Sequence, residues 1–138
     1  MRKNINKFEK EIIKNKIYKN LSQKKEIEFV QIFGSFLSNL PFEDIDIGVY
    51  LNEDFLKRVN KLEYIIDLSI ILEEKIKGYE FDVIILNDMP FSFLYHIFKE
   101  GELIFTKDEE KYYDYILYII NNYLDMKEVR YNLFKNFI

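Results

Sequence analysis

Residues 33–46 read Phe33-Gly34-Ser35-Phe36-Leu37-Ser38-Asn39-Leu40-Pro41-Phe42-Glu43-Asp44-Ile45-Asp46. An apolar run stops at Gly-Ser, a turn signal follows at Leu40-Pro41-Phe42, and two carboxylates then stand with one residue between them. Period-two strand geometry puts Asp44 and Asp46 on one face. Two anions held that close repel, and neither is buried cheaply without a cation. Two readings stay open at this point. The stretch is a turn and hairpin whose acids guard an exposed strand edge against aggregation, or it is half of a site for a nucleotide and its metals. A lone Asp-x-Asp favours the edge reading, so the surrounding sequence has to decide.

Upstream, residues 27–33 (Ile-Glu-Phe-Val-Gln-Ile-Phe) alternate and are rich in β-branched and aromatic side chains, which predicts a strand running into Gly34. Residues 5–21 carry Ile5, Phe8, Ile12, Ile13, Ile17 and Leu21 at helical spacing, with lysines between them. Residues 35–39 leave room for about one helical turn. Downstream, 45–51 predicts a second strand, and 54–76 one long helix capped by Asp54 and stopped near Gly78. Residues 80–86 predict a third strand. A helix opened by Pro90 runs to Lys99 and ends at Gly101, with Asp88 at its start. Residues 102–106 form a short fourth strand, and a long aromatic helix begins at Asp108. The order predicts an α+β fold: a small mixed sheet of about four strands with helices packed on it, in one domain spanning 1–138. Its core covers about 27–106, and a helical extension covers about 108–138. Gly34 falls just past the first strand, where ligand sites concentrate in such folds.

The third strand supplies the deciding residue. Asp82 sits in Phe-Asp-Val-Ile-Ile-Leu, among side chains that want a core, and an acid there is costly unless it faces a cation or partner. If the strands at 45–51 and 80–86 are neighbours, Asp82 joins Asp44 and Asp46. Three carboxylates suit two Mg²⁺ ions sharing a triphosphate, and Asp82 is then placed to accept a proton from an attacking hydroxyl. Gly34 lets the backbone approach a phosphate, and the Ser35 hydroxyl adds a hydrogen bond.

Composition narrows the chemistry. The 138 residues contain no cysteine and one histidine, His96, so a disulfide framework, a thiolate nucleophile and a multi-histidine metal site within one chain are excluded. Any metal is a hard cation on oxygen ligands. The formal net charge is −4, yet residues 2–25 hold nine Lys/Arg and two Glu. A basic front on an acidic body suits a solvated helix face or a wall near an anionic ligand, and a dedicated nucleic-acid binder would be more basic overall, so direct DNA binding is not expected. There is neither a signal-like apolar start nor a membrane-length run, which makes the cytoplasm the expected compartment.

Gly34-Ser35, then Asp44-Ile45-Asp46, then Asp82, together resemble the signature of the DNA polymerase β-like nucleotidyltransferases. The stretch "FDVIILNDMPFSFLYHIFKEGELIF" is similar to their smallest branch, the minimal nucleotidyltransferase (MNT) domain. The resemblance spans roughly 27–106. It implies metal-dependent transfer of AMP from ATP to a hydroxyl, with Asp44 and Asp46 on both Mg²⁺ ions (or Mn²⁺). Asp82 would complete one of them and assist deprotonation, while Gly34 and Ser35 hold the triphosphate. It also implies an antitoxin whose partner is a HEPN ribonuclease toxin, modified on a tyrosine. The chain departs from the pattern in a shortened 36–43 loop, in Glu43 before Asp44, and in Phe36 and Leu37 where arginine and glycine are usual. The lost arginine is a lost bidentate phosphate contact, which lysines of the first helix are candidates to replace. A binding antitoxin with weak catalysis, masking the toxin, is the alternative. A small-molecule or RNA nucleotidyltransferase working with another subunit is a third reading.

The C-terminal helix shows two apolar faces: Tyr112, Ile116, Ile119 and Tyr123 on one, Tyr113, Leu117, Ile120 and Leu124 on the next. Two faces exceed what one core contact needs. Either the chain's end packs over the helix, or the second face is an interface for a partner or a second copy. His96, between Tyr95 and Ile97, reads as a packed or surface histidine and not a catalytic one.

Overall fold

The computed structural model describes residues 2–137, so the last residue of the expected helical extension, Ile138, lies outside the described residues. The elements are α1 (Lys7–Leu21), β1 (Ile27–Phe33), a 3₁₀ turn (Ser35–Leu37), β2 (Asp44–Leu51), α2 (Glu53–Arg58), α3 (Lys61–Lys75), β3 (Glu80–Ile85), a second 3₁₀ turn (Leu86–Asp88), α4 (Phe91–Glu100), β4 (Glu102–Thr106) and α5 (Glu109–Lys135). All four expected strands form.

The strands make one mixed sheet in the order β3-β2-β1-β4. β1 pairs antiparallel with both β2 and β4, and β2 pairs parallel with β3. Alternation sends one set of side chains to each face. Ile45, Ile47, Val49 and Leu51 of β2 join Phe81, Val83 and Ile85 of β3 against Ile13, Ile17 and Leu21 of α1 and Leu68 and Leu72 of α3. The opposite face carries Phe29, Leu86, Leu94, Ile97, Tyr112 and Ile119, which brings α4 and the first half of α5 onto the sheet. On β2 that second face also bears the even-numbered residues, among them Asp44, Asp46 and Tyr50. Gly48 stands between them because a β-carbon there would meet Leu86 Cδ2 at 2.7 Å.

Two expectations are corrected. The helix predicted over 54–76 is two helices. Asn52 caps α2, accepting from the Asp54 and Phe55 N–H groups at 3.0 and 3.1 Å, and Asn60 caps α3, accepting from Glu63 N–H at 3.0 Å. Val59 between them is extended, with φ −95° and ψ 147°. Apolar periodicity runs through the break, but an asparagine side chain satisfies the free N–H groups of a new helix well enough to end the previous one. Asp88 does not start α4. It lies in the 3₁₀ turn and pairs with Lys61, while Pro90 holds the N-cap position without a side-chain bond. Gly101 does end α4, donating its N–H to Ile97 C=O at 2.8 Å.

The end of the chain does not fold back over α5. Tyr112 and Ile119 are buried, whereas Tyr113, Leu117 and Leu124 are exposed, and so is every described residue from Lys127 onward. The expected first face is the core face. The second is exposed at Tyr113, Leu117 and Leu124, with Ile120 half-buried.

Candidate active site

Gly34 begins the site. It follows β1 with φ +80°, a left-handed backbone that favours glycine. A β-carbon on it would lie 2.1 Å from Asp46 Oδ2. Glycine is therefore required twice over, by its own torsion and by the carboxylate packed against it. The single turn at Ser35–Leu37 follows, with Leu37 N–H bonded to Gly34 C=O at 3.1 Å and Ser38 N–H to Ser35 C=O at 3.0 Å. Ser38 Oγ also donates to Ser35 C=O at 2.7 Å.

The turn is anchored from two sides. Phe36 is fully buried and meets Phe42 edge-on with ring centroids 5.1 Å apart. Lys10 reaches from α1 and donates from Nζ to Phe36 C=O at 2.6 Å and Ser38 C=O at 2.7 Å. Sequence reasoning treated the α1 lysines as candidates for a missing phosphate contact. Lys10 is instead committed to the carbonyls of the turn, and Phe36 serves the core. No sequence signal marks Lys10, because the two ends of this contact are 26 and 28 residues apart.

The strands bring the acids together. Asp46 faces Phe33 across the antiparallel β1–β2 pair and faces Asp82 across the parallel β2–β3 pair. Asp44 stands two residues earlier on the same face of β2, opposite Glu80. Asp44 and Asp46 are half-buried, and Asp82 is exposed. Partial burial pushes the Asp46 carboxyl up to about 6, and the negative charges of Asp82 and then Asp44 push in the same direction. Among the described residues the ion pairs use Glu43, Glu11, Glu102 and Asp88, and none involves Asp44, Asp46 or Asp82. Three neighbouring carboxylates, without an ion pair to a protein cation among the described residues, match in chemistry what a hard divalent ion needs. Among the described residues they do not already converge as a three-ligand cluster.

A cavity of about 420 Å³ opens over this region, and Arg2, Ser35, Ser38, Glu43, Asp44 and Asp46 contribute to its wall. Asp82 stands beside it on the neighbouring strand. A larger cavity of about 480 Å³ lies at the far end of β2 under Phe29, Tyr50, Tyr112 and Tyr115, away from the paired acids. The smaller cavity is the candidate site, because Asp44, Asp46 and the Ser35 turn line it.

A strand ending in Gly-Ser, a neighbouring strand with two acids on one face and a third acid in parallel register define the class. Residues 15–110 match the family described as polymerase beta, nucleotidyltransferase, and the chain belongs to that family. It is a nucleotidyltransferase, with a sheet and five helices of that fold. Among solved structures it is similar to the complex of a tri-AMPylated HEPN toxin with MNT antitoxin from Shewanella oneidensis, with a TM-score of 0.70 and 16% identity over 92% of this chain and 97% of that one. It is similar also to the toxin-antitoxin MntA-HepT, at TM-score 0.68 and 16% identity over 91% and 97%. A toxin-antitoxin structure with AMP-PNP scores 0.69, at 17% identity over 89% and 96%. At these identities the likeness is one of fold. No curated protein matches the chain. Among the described residues no helix is long and apolar enough to cross a membrane.

Proposed function

We propose that this protein transfers AMP from ATP to a hydroxyl, a tyrosine of a HEPN-type ribonuclease toxin, and thereby acts as its antitoxin. The observation that carries the reading is the register of Asp46 with Asp82 beside Gly34. It sets a phosphate-accepting turn against paired acids on one sheet face. The kinship in fold with an AMPylated toxin complex and with a complex holding an ATP analogue supports it.

In this reading Asp44 and Asp46 would hold two Mg²⁺ ions, or Mn²⁺, and Asp82 would complete the ligands of one of them. Bound there, such ions would supply charge neutralisation for the triphosphate and for the oxygens that gain charge at the reacting phosphorus. Gly34 and Ser35 receive the phosphates through the open N-terminus of the turn and the Ser35 hydroxyl. Asp82, exposed at the edge of β3, takes the proton of the acceptor hydroxyl. The hydroxyl oxygen bonds to the α-phosphorus, the bond from that phosphorus to the bridging oxygen breaks, and pyrophosphate leaves with the electron pair. Lys10 and Phe36 keep the turn in place while this happens.

The test is intact mass of the HEPN-type partner after incubation with this protein, ATP and Mg²⁺. A gain of one or more AMP units, lost with Asp44→Asn, is the expected result. The bare second face of α5 favours a second reading, a masking antitoxin that binds without modifying. A stable inhibitory complex with no mass gain would select that reading and reject transfer. A mass gain that persists with both Asp44→Asn and Asp46→Asn would reject the site.

A further inference from the structure

The cavity beside Ser35 is walled by three carboxylates, those of Glu43, Asp44 and Asp46, and by one cationic side chain, Arg2. The residue next to Arg2 is held by main-chain contacts. Lys3 and Phe42 form an antiparallel bridge in which each donates its N–H to the other's C=O, at 2.6 and 2.9 Å. Phe42 is buried and immediately precedes Glu43 and Asp44, so the bridge registers the residues around Lys3 against the entrance to β2. The guanidinium itself is loosely engaged. Its Nε lies 4.0 Å from Glu43 Oε1, and the two side chains are 75% and 61% exposed. An ion pair of that kind is worth well under about 1 kcal/mol, and it exchanges easily for a better acceptor. A phosphate is such an acceptor, because it takes two parallel N–H bonds from one guanidinium.

We propose that Arg2 is the cationic side chain that grips the non-reacting phosphates of the nucleoside triphosphate, in place of an arginine within the Gly-Ser turn. The inference rests on the nucleotidyltransferase reading of this cavity. Two features decide its position. Arg2 shares the wall with Ser35 and Ser38, and Asp82 does not belong to that wall, so Arg2 serves the triphosphate side and not the acceptor side. Lys10 of α1 spends its donors on the Phe36 and Ser38 carbonyls. The N-terminal segment is then part of the nucleotide site, a specificity element for triphosphate over monophosphate.

The test is equilibrium titration with AMP-PNP and with AMP, in Mg²⁺, for four proteins. A charge-assisted contact to phosphate corresponds to about a 10- to 100-fold change in affinity. Arg2→Ala is expected to weaken AMP-PNP binding by at least about 10-fold and AMP binding by less than about threefold. Lys3→Pro, which removes one N–H of the bridge and leaves Arg2 intact, is expected to show the same selective loss. Glu43→Gln is expected to bind AMP-PNP as tightly as the wild type or tighter, which a merely structural Arg2–Glu43 pair would not allow. AMP-PNP affinity within twofold of wild type in Arg2→Ala overturns the inference, as does an equal loss for AMP. The wild-type mass assay decides the underlying reading separately: transfer that is intact in wild type with unchanged Arg2→Ala affinity sinks only the role of Arg2. Failure of the wild type to bind AMP-PNP sinks both.

Discussion

Replacing Asp46 by asparagine removes a charge that the fold holds at a cost. In the metal-free protein the Asp46 carboxyl is pushed up to about 6 from an ordinary 3.8, by partial burial and by Asp82 and Asp44. The folded state therefore binds more protons than the unfolded state between those values. Stability falls as pH rises through that window and stays low above it. A shift of about two pKa units corresponds to about 3 kcal/mol. Asp46 is only partly buried, so water screens the effect and about 1–2 kcal/mol is the reasonable share. Asp46→Asn keeps the shape packed against Gly34 and abolishes the charge. In chelator at pH 7 it is expected to melt about 4–8 °C above wild type. The gap should close as the pH approaches 4, where the wild-type carboxyl is protonated as well. Mg²⁺ should raise the wild-type melting temperature more than that of the variant. Thermal melts by circular dichroism at pH 4.5 and 7, with chelator and with Mg²⁺, make the comparison. A variant that melts no higher than wild type at pH 7 in chelator, or a gap that does not shrink toward acid, would refute the electrostatic account of this site.

Gly34→Ala should lose about 1–3 kcal/mol of stability and most nucleotide affinity, because its methyl group would meet Asp46 Oδ2 from an unfavourable φ; chemical denaturation with a nucleotide titration checks both. Lys10→Met should release the Phe36 and Ser38 carbonyls at a cost of about 1.5–3 kcal/mol. Hydrogen exchange should then speed up around residues 34–40 and leave β3 unchanged. The double variant Leu117→Glu and Leu124→Glu changes two exposed positions of α5, so its melting temperature should stay close to that of wild type. Loss of HEPN-partner binding in a pull-down would assign the bare face to that contact, and retained binding would move the contact elsewhere.

The four strands were legible because each is a short apolar stretch bounded by glycine, proline or charge, and Asp44, Asp46 and Asp82 stood out as acids where a core wants none. What the sequence could not give was the meeting of elements. Asp82 matters only because β3 lies parallel to β2 in a register that sets it opposite Asp46. The same limit hid Lys10 and Arg2, whose partners lie far along the chain and carry no local pattern. The 54–76 region misled for a different reason. Its apolar period is helical throughout, and the break comes from the capping chemistry of a single asparagine, Asn60, which a periodicity reading does not weigh. Asp88 misled in reverse: it has a capping side chain before a proline, but the Lys61 ammonium takes it.

The pairing of Asp46 with Asp82 has a consequence for how the protein comes into being. These two acids enter the sheet from strands joined by a two-helix crossover, so their approach is a long-range event with a high entropic threshold. The packing of Ile45, Ile47, Phe81 and Val83 that holds β3 alongside β2 is also what sets the charges against one another. Folding thus works against charge repulsion at this pair, and a divalent ion held there, as proposed, would fasten the completed sheet. On the proposed site, Mg²⁺ should slow unfolding more than it alters early collapse, which stopped-flow kinetics with and without the ion would check. On the proposed site, activity should then appear only as the sheet is completed.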